Sequence, residues 1–290
     1  MAYVYMMRCK NGSLYTGWTN DLQKRIQAHT SGSGAAYTRA FEAQELAWAE
    51  ALPNKSAALK REAQLKKLPK ADKEKLAAGF DPAGFVLIRP AEPKDAADVR
   101  KIAEHYIRNS TASFLSEVPD EKEYQKEIRN ICKTHPYFIA HDALGRPLGY
   151  VCAHPWENGR GAYTWDTETT IYLAPEARRK GVGQMLYQAL LASLALQGYW
   201  NAYAVVTDPN PDSEAFHAAQ GFVCEGRQAR TGYKNGWVGV SYWLLTLKEG
   251  NDAPENKPAP LKKEQLAAIA EAARMGESWQ LIVEKCAKSV

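Results

Sequence analysis

Apolar and polar positions alternate in two short runs at the start of the chain. Residues 2–9 (AYVYMMRC) and 13–17 (SLYTG) are rich in β-branched and aromatic residues and flank Asn11-Gly12, which predicts two strands joined by a hairpin. A loop of Asn11 and Gly12 alone would put Tyr5 and Tyr15 on opposite faces. A three-residue loop, Lys10 to Gly12 with Gly12 left-handed at a bulge, puts both rings on one face, and this is the expected form. Thr19 or Asn20 is expected to cap a helix with Leu22 and Ile26 inward, and Arg25 and His29 share one face of it. After SGSGAAYTR, Ser56 is expected to cap a second helix with Leu59, Ala63 and Leu68 inward. Glu62 borders that apolar face, where a carboxylate needs a partner or a cation.

The pattern lengthens after the turn-rich joint at residues 79–84. VLIRP reads as a strand and is followed by a helix led by Asp95; 137–141 and 147–153 read as a hairpin pair. A long strand is expected over 163–173 and an apolar helix over about 184–197, stopped by Gly198. A strand at 202–207, a helix at 213–220 and a closing strand at 237–247 complete the series. Hairpins mixed with crossovers predict an α/β (α+β) class, a mixed sheet with helices on its faces. Arg178-Arg179-Lys180-Gly181-Val182-Gly183 lies between the long strand and its helix. Strand, basic glycine loop and helix start together make a phosphate cradle, and three cations favour a diphosphate.

Charge separates the parts. Residues 1–80 hold 13 Lys and Arg against 7 Asp and Glu, whereas 81–249 hold 18 against 20 and 250–290 hold 6 against 6. The basic first part suits a polyanion such as DNA, and the second needs only local basicity. Five scattered cysteines without a C-x-x-C pair fit reduced thiols and a cytoplasmic location. No apolar run approaches membrane-spanning length, so no membrane partner is expected. GNDAPENKPAP reads as a linker to two short tail helices, whose stripe of Leu266, Ile269 and Ala270 is expected to dock on the chain itself. The expected division is 1–80, 84–249 and 250–290. Nothing in the sequence sets the oligomeric state; a homodimer is one arrangement it allows.

Two resemblances sharpen these readings. YVY, LYTG, Arg25, His29, GAAYTR and Glu62 resemble the small single-domain GIY-YIG nucleases, themselves similar to the catalytic domain of the excision-repair endonuclease; Tyr3 replaces the first glycine of the motif. The resemblance implies metal-dependent cleavage of DNA. Glu62 would hold a divalent cation such as Mg2+, Arg25 would bind the scissile phosphate, and Tyr15 would act as general base with Tyr5 and His29 assisting. The chemistry asks for such groups: an oxygen ligand, a guanidinium fork and a proton acceptor. A tyrosine serves as acceptor only if the metal or Arg25 lowers its pKa.

IRPA, NSTASF, the strand bearing Glu168, R-x-x-G-x-G and NPDSEAFHAAQGF resemble the GNAT acetyltransferases, within them the phosphinothricin and methionine sulfoximine branch. The resemblance implies acetyl-CoA as donor and a small amine or amino-acid analogue as acceptor. The donor's diphosphate would meet Arg178, Arg179, Lys180, Gly181, Val182, Gly183 and Gln184. Its pantetheine arm would pair with Ile171, Tyr172 and Leu173 and touch Asn210 and Ser213. Glu168 would be the base; Asp166 points the same way along the strand, and two like charges there would raise one another's pKa. His217 matches a family position and reads equally as packed core. The departures fall in the acceptor pocket, at Phe114-Leu115, at Thr164 and at Gly236-Trp237-Val238-Gly239-Val240, where charged residues of relatives are missing.

Overall fold

The computed structural model describes residues 2–52, 54–250 and 253–288. Two compact units emerge, Met1–Leu87 with His141–Arg146, and Ile88–Ala140 with Pro147–Val290.

In the first unit three antiparallel strands are ordered β2-β1-β3: β1 (Ala2–Cys9), β2 (Leu14–Thr19) and β3 (Ala43–Leu52). Central β1 is buried on both faces because it alternates between two cores. Tyr5 and Met7 pack with Leu22 and Leu46, while Val4 and Met6 pack with Trp48, Ala58 and Leu65. The hairpin is the three-residue form. Cys9 N–H donates to Ser13 O at 2.9 Å, Gly12 has φ +73°, and Met7 faces Tyr15, so Tyr15 and Tyr5 share a face.

Four helices complete this unit: α1 (Leu22–Thr30), α2 (Ala36–Ala40), α3 (Lys55–Lys67) and α4 (Lys70–Ala78). Their caps differ from expectation. Asp21 caps α1 by accepting from Lys24 N–H, and Asn54 caps α3 by accepting from Ala57 N–H; neither Thr19, Asn20 nor Ser56 takes that role. The earlier start of α3 turns Ala58 and Leu65 inward. Leu59 and Ala63 are exposed and Leu68 is only half-buried, which corrects the predicted stripe.

The second sheet has seven strands in the order β4-β5-β6-β7-β8-β10-β9. They are β4 (Val86–Pro90), β5 (Tyr137–Asp142), β6 (Pro147–Pro155), β7 (Asp166–Leu173), β8 (Asn201–Asp208), β9 (Val223–Tyr233) and β10 (Trp237–Thr246). The long strand starts at Asp166 rather than 163, because Gly161–Tyr163 forms a 3-10 turn. Helices α5 (Ala96–Asn109) and α6 (Glu121–Ile131) cover the face of Glu168, Thr170 and Tyr172, with the Tyr106 and Tyr172 rings 4.9 Å apart. Helices α7 (Val182–Gln197) and α8 (Pro211–Ala219) cover the other face, where Tyr187 meets Thr169. The tail helices α9 (Lys263–Arg274) and α10 (Trp279–Ala287) pack on α7 through buried Ile269, Ala270, Ala273 and Ile282. That cover explains why α7 is apolar nearly all round. No helix among the described residues is long and apolar enough to cross a membrane.

One feature of this sheet makes room for a ligand. β7 pairs with β6 from Thr167 to Leu173, but its parallel pairing with β8 covers Asp166–Glu168 alone. Beyond Glu168 the two strands part.

Candidate functional sites

In the first unit the hairpin, α1 and α2 bring Tyr5, Tyr15, Arg25, His29 and Thr38 together. Thr38 O–H donates to Ala35 O at 2.9 Å, so its oxygen accepts from His29 Nδ1–H at 2.6 Å. That fixes the tautomer: His29 Nε2 accepts from Tyr5 O–H at 2.7 Å, and the Tyr5 oxygen accepts from Arg25 Nε–H at 3.0 Å. Burial, with Arg25 adding to it, holds His29 down to about 4, so the ring is neutral. Burial pushes Tyr5 up to about 12 despite the pull of Arg25. Arg25 therefore does not bring Tyr5 below its ordinary value. Tyr5 instead hands its proton toward His29 as a hydrogen-bond donor.

The Tyr15 ring stands 5.3 Å from His29 and 6.4 Å from Tyr5. Arg25 reaches Tyr15 as well, and both tyrosines hold its guanidinium above its ordinary pKa. Glu62 pairs with Lys66 at 2.9 Å and its side chain is 15% exposed; its charge is felt at Tyr5. Two glycines let these rings close in. A Cβ on Gly17 would stand 2.6 Å from the Tyr5 oxygen, and one on Gly34 would stand 2.3 Å from His29 Nδ1. Thr38 lies in the GAAYTR stretch but has no sequence signal of its own, because the nine residues separating it from His29 give no helical spacing.

In the second unit a groove of about 730 Å3 occupies the place where β7 and β8 part. Glu168, Ile171, Tyr172, Leu173, Asn210 and Ser213 line it, and Arg178 and Arg179 reach its wall. Lys180, Gly181, Val182, Gly183 and Gln184 fall outside the lined volume. Gly181 has φ +77° and precedes α7; the N–H groups of Val182, Gly183 and Gln184 have no intrahelical acceptor, as in any first turn. Gly183 is buried, and a Cβ there would stand 3.1 Å from Leu173 and 3.2 Å from Phe216. It lets α7 approach its neighbours closely.

The expected cations are not equivalent. Arg178 donates to the Tyr106 oxygen at 2.9 Å, and Tyr106 O–H donates to Leu173 O at 2.6 Å, so this Arg is engaged in the protein. Arg179 is exposed beside Asp212 at 3.6 Å. Asn210 caps α8 by accepting from Ser213 N–H at 3.3 Å.

Glu168 is half-buried, and that burial raises its pKa; Glu157 adds to the rise and His154, directly across the β6–β7 ladder, opposes it. Asp166 is not the cause, which corrects the paired-carboxylate expectation: its carboxylate accepts from Asn201 at 2.9 Å. His217 belongs to the packed floor, 3% exposed. Its Nδ1–H donates to Ser213 O at 2.8 Å and its Nε2 lies 2.9 Å from the Tyr187 hydroxyl, which meets Thr169 at 2.7 Å. Burial lowers the His217 pKa.

Comparison with known proteins finds a family match in each unit. Residues 1–76 match the GIY-YIG catalytic domain and residues 99–222 match the acetyltransferase (GNAT) family. A phosphinothricin N-acetyltransferase of Streptomyces viridochromogenes is 36% identical over 159 residues, 54% of this chain and 86% of that protein. A UPF0213 protein of Clostridium perfringens is 50% identical over 76 residues, 26% of this chain and 82% of that protein. The solved phosphinothricin acetyltransferase of Sinorhizobium meliloti, in complex with acetyl-CoA, is 32% identical with a TM-score of 0.55 and covers 60% of this chain and 93% of its own. The chain thus belongs to the GNAT acetyltransferases related to phosphinothricin N-acetyltransferase, with a GIY-YIG catalytic domain fused ahead of that enzyme.

Proposed function

We propose that the chain carries two active centres: an N-acetyltransferase over residues 84–249 that moves acetyl from acetyl-CoA to a small amine, and a metal-dependent DNA endonuclease over residues 1–80. The five free cysteines suit the cytoplasm, where thiols stay reduced. One observation carries the transferase reading: Glu168 lines the groove left where β7 parts from β8.

The unpaired edge of β7 at Ile171 and Tyr172 offers main-chain groups to an extended amide-bearing arm, as an added strand would use them. The free N–H groups of Val182, Gly183 and Gln184 suit the diphosphate, supported by Arg179 and Lys180. Glu168, raised by burial, takes the proton of the ammonium directly or through water. The amine nitrogen then bonds to the thioester carbon, the C–S bond breaks, and the departing sulfur takes the second proton from that nitrogen and leaves as the CoA thiol. Backbone N–H groups stabilise charge on the carbonyl oxygen.

In the first unit, Glu62 suits a hard cation. Its carboxylate is largely shielded and pairs with Lys66, and Mg2+ takes one or two carboxylates and completes its shell with water and phosphate oxygens. Among the described residues no cluster of three or more His, Cys, Asp or Glu side chains offers another site. The bound ion would neutralise phosphate charge and acidify water. Arg25 uses Nε on Tyr5 and also reaches Tyr15, and the rest of its five-donor fork suits the scissile phosphate. Tyr15 is the assigned base, and the Tyr5–His29 pair orients Arg25 beside it.

The two activities separate in one experiment on the full chain. Thiol release from acetyl-CoA with an amine panel should vanish in Glu168→Gln and persist in Glu62→Ala. Mg2+-dependent nicking of DNA should do the reverse. Nicking absent from the wild type would leave the first unit a DNA-binding tether; thiol release absent with every amine would leave the second a CoA-binding module.

A further inference from the structure

A line of aromatic rings runs outward from the nuclease centre. Tyr5 is fully buried, Tyr15 half-buried, and Tyr37 and Phe41 are 42% and 41% exposed. Tyr15 and Tyr37 are stacked at 24° with centroids 6.0 Å apart, and Tyr37 meets Phe41 at 4.7 Å. Exposing two large rings side by side is unfavourable unless something covers them. They are also rigidly placed. Helix α2 holds Thr38 against His29 on its inner side and carries Tyr37 toward Phe41, its C-cap, on the outer side. Lys10 N–H donates to Phe41 O at 3.1 Å, anchoring the far end of the pair to the hairpin loop.

Charge says what covers them. The exposed Arg39 sits between the two rings in sequence, Arg25 lies beyond Tyr15, and residues 1–80 carry 13 cations against 7 anions. Aromatic faces within a cationic surface are how proteins hold unpaired nucleotides, since every base has a π-face and every linkage a phosphate. A fully paired duplex hides those faces.

We propose that Tyr37 and Phe41 form a stacking platform for an unpaired nucleobase next to the scissile phosphate, so that the first unit selects DNA with a single-stranded stretch, such as an overhang, gap or bubble, over continuous duplex. This rests on the nuclease reading above and adds its substrate structure.

The test uses the full chain carrying Glu62→Ala, which leaves the DNA intact, and oligonucleotides with 2-aminopurine in an unpaired stretch or inside a duplex. The platform predicts fluorescence quenching of the unpaired probe and tighter binding of it than of duplex. Adding Tyr37→Ala with Phe41→Ala should remove the quenching and weaken binding of the unpaired probe by about ten-fold or more, while duplex binding changes less than about two-fold. Tyr37→Phe with Phe41→Tyr keeps both rings and should restore quenching, which rules out a folding defect. Equal affinity for both probes, or quenching that survives the double alanine change, overturns the platform. Nicking by the wild type that ignores strand pairing overturns it too, yet leaves the nuclease reading intact. Quenching without nicking by the wild type keeps the platform and retires the nuclease reading.

Discussion

Gly17 pairs with Tyr5 across the β1–β2 ladder, and a Cβ built on it would come within 2.6 Å of the Tyr5 hydroxyl oxygen. No flexible group can give way there, because that oxygen is held by Arg25 and His29. Gly17→Ala should therefore displace the ring, cost about 1–3 kcal/mol as overpacking does, and reduce nicking sharply while thiol release is unchanged. Urea unfolding of the first unit and a nicking assay check this.

Thr38 fixes the direction of the whole hydrogen-bond chain. Thr38→Val keeps the shape but leaves His29 Nδ1–H without its acceptor, at about 1–3 kcal/mol, and frees the ring to change tautomer. Nicking should fall and Thr38→Ser should recover it. The same chain carries a pH signature. His29 is held at about 4 when folded against 6.5 unfolded, so the unfolded state binds more protons between those values. Its contribution to stability is complete above pH 6.5 and is lost as pH falls toward 4. A histidine NMR titration should give His29 a midpoint near 4.

Across the β6–β7 ladder His154 works against the burial that raises Glu168. The acid limb of kcat/KM for acetyl transfer should lie above the ordinary carboxylate value of 4.5. Removing the opposing charge by His154→Gln should move that limb to higher pH. A limb that stayed in place, or moved down, would show that His154 does not set the charge of Glu168.

Tyr187 joins His217 to Thr169 beneath the groove. Tyr187→Phe strips a shared hydroxyl from two buried polar groups, and a loss of about 1–3 kcal/mol is expected in the unfolding of the second unit. Thiol release should keep its KM for acetyl-CoA within a few-fold, since the hydroxyl lies in the floor and not on the donor.

Strong local rules were legible in the sequence. Gly12 decided the hairpin loop and hence the shared face of Tyr5 and Tyr15; Gly198 stopped α7 where expected, with φ +97°. What escaped was set by tertiary context. Strand β3, AQELAWAEAL, is made of helix-favouring residues and becomes a strand because it pairs with β1. Edge strand β9 is mostly exposed and polar, so it carries little alternation. Helix α6 buries only Tyr124 and Ile128, too few for a clear stripe, and its Asp120–Glu123 capping box is the one readable signal of its start. At the site, residue types were readable but their electrostatics were not. Asp166 and Glu168 share a strand face, yet Asn201 occupies Asp166 and burial shifts Glu168. Arg178 looked free in the basic loop and is tied to Tyr106 from a distant helix.

The structure of the full chain soaked with acetyl-CoA tests the central claim most directly. The diphosphate should meet the N–H groups of Val182 to Gln184, the arm should run along Ile171 and Tyr172, and the thioester should lie beside the Glu168 carboxylate. Coenzyme bound away from the gap between β7 and β8, or a thioester walled off from Glu168, would contradict it.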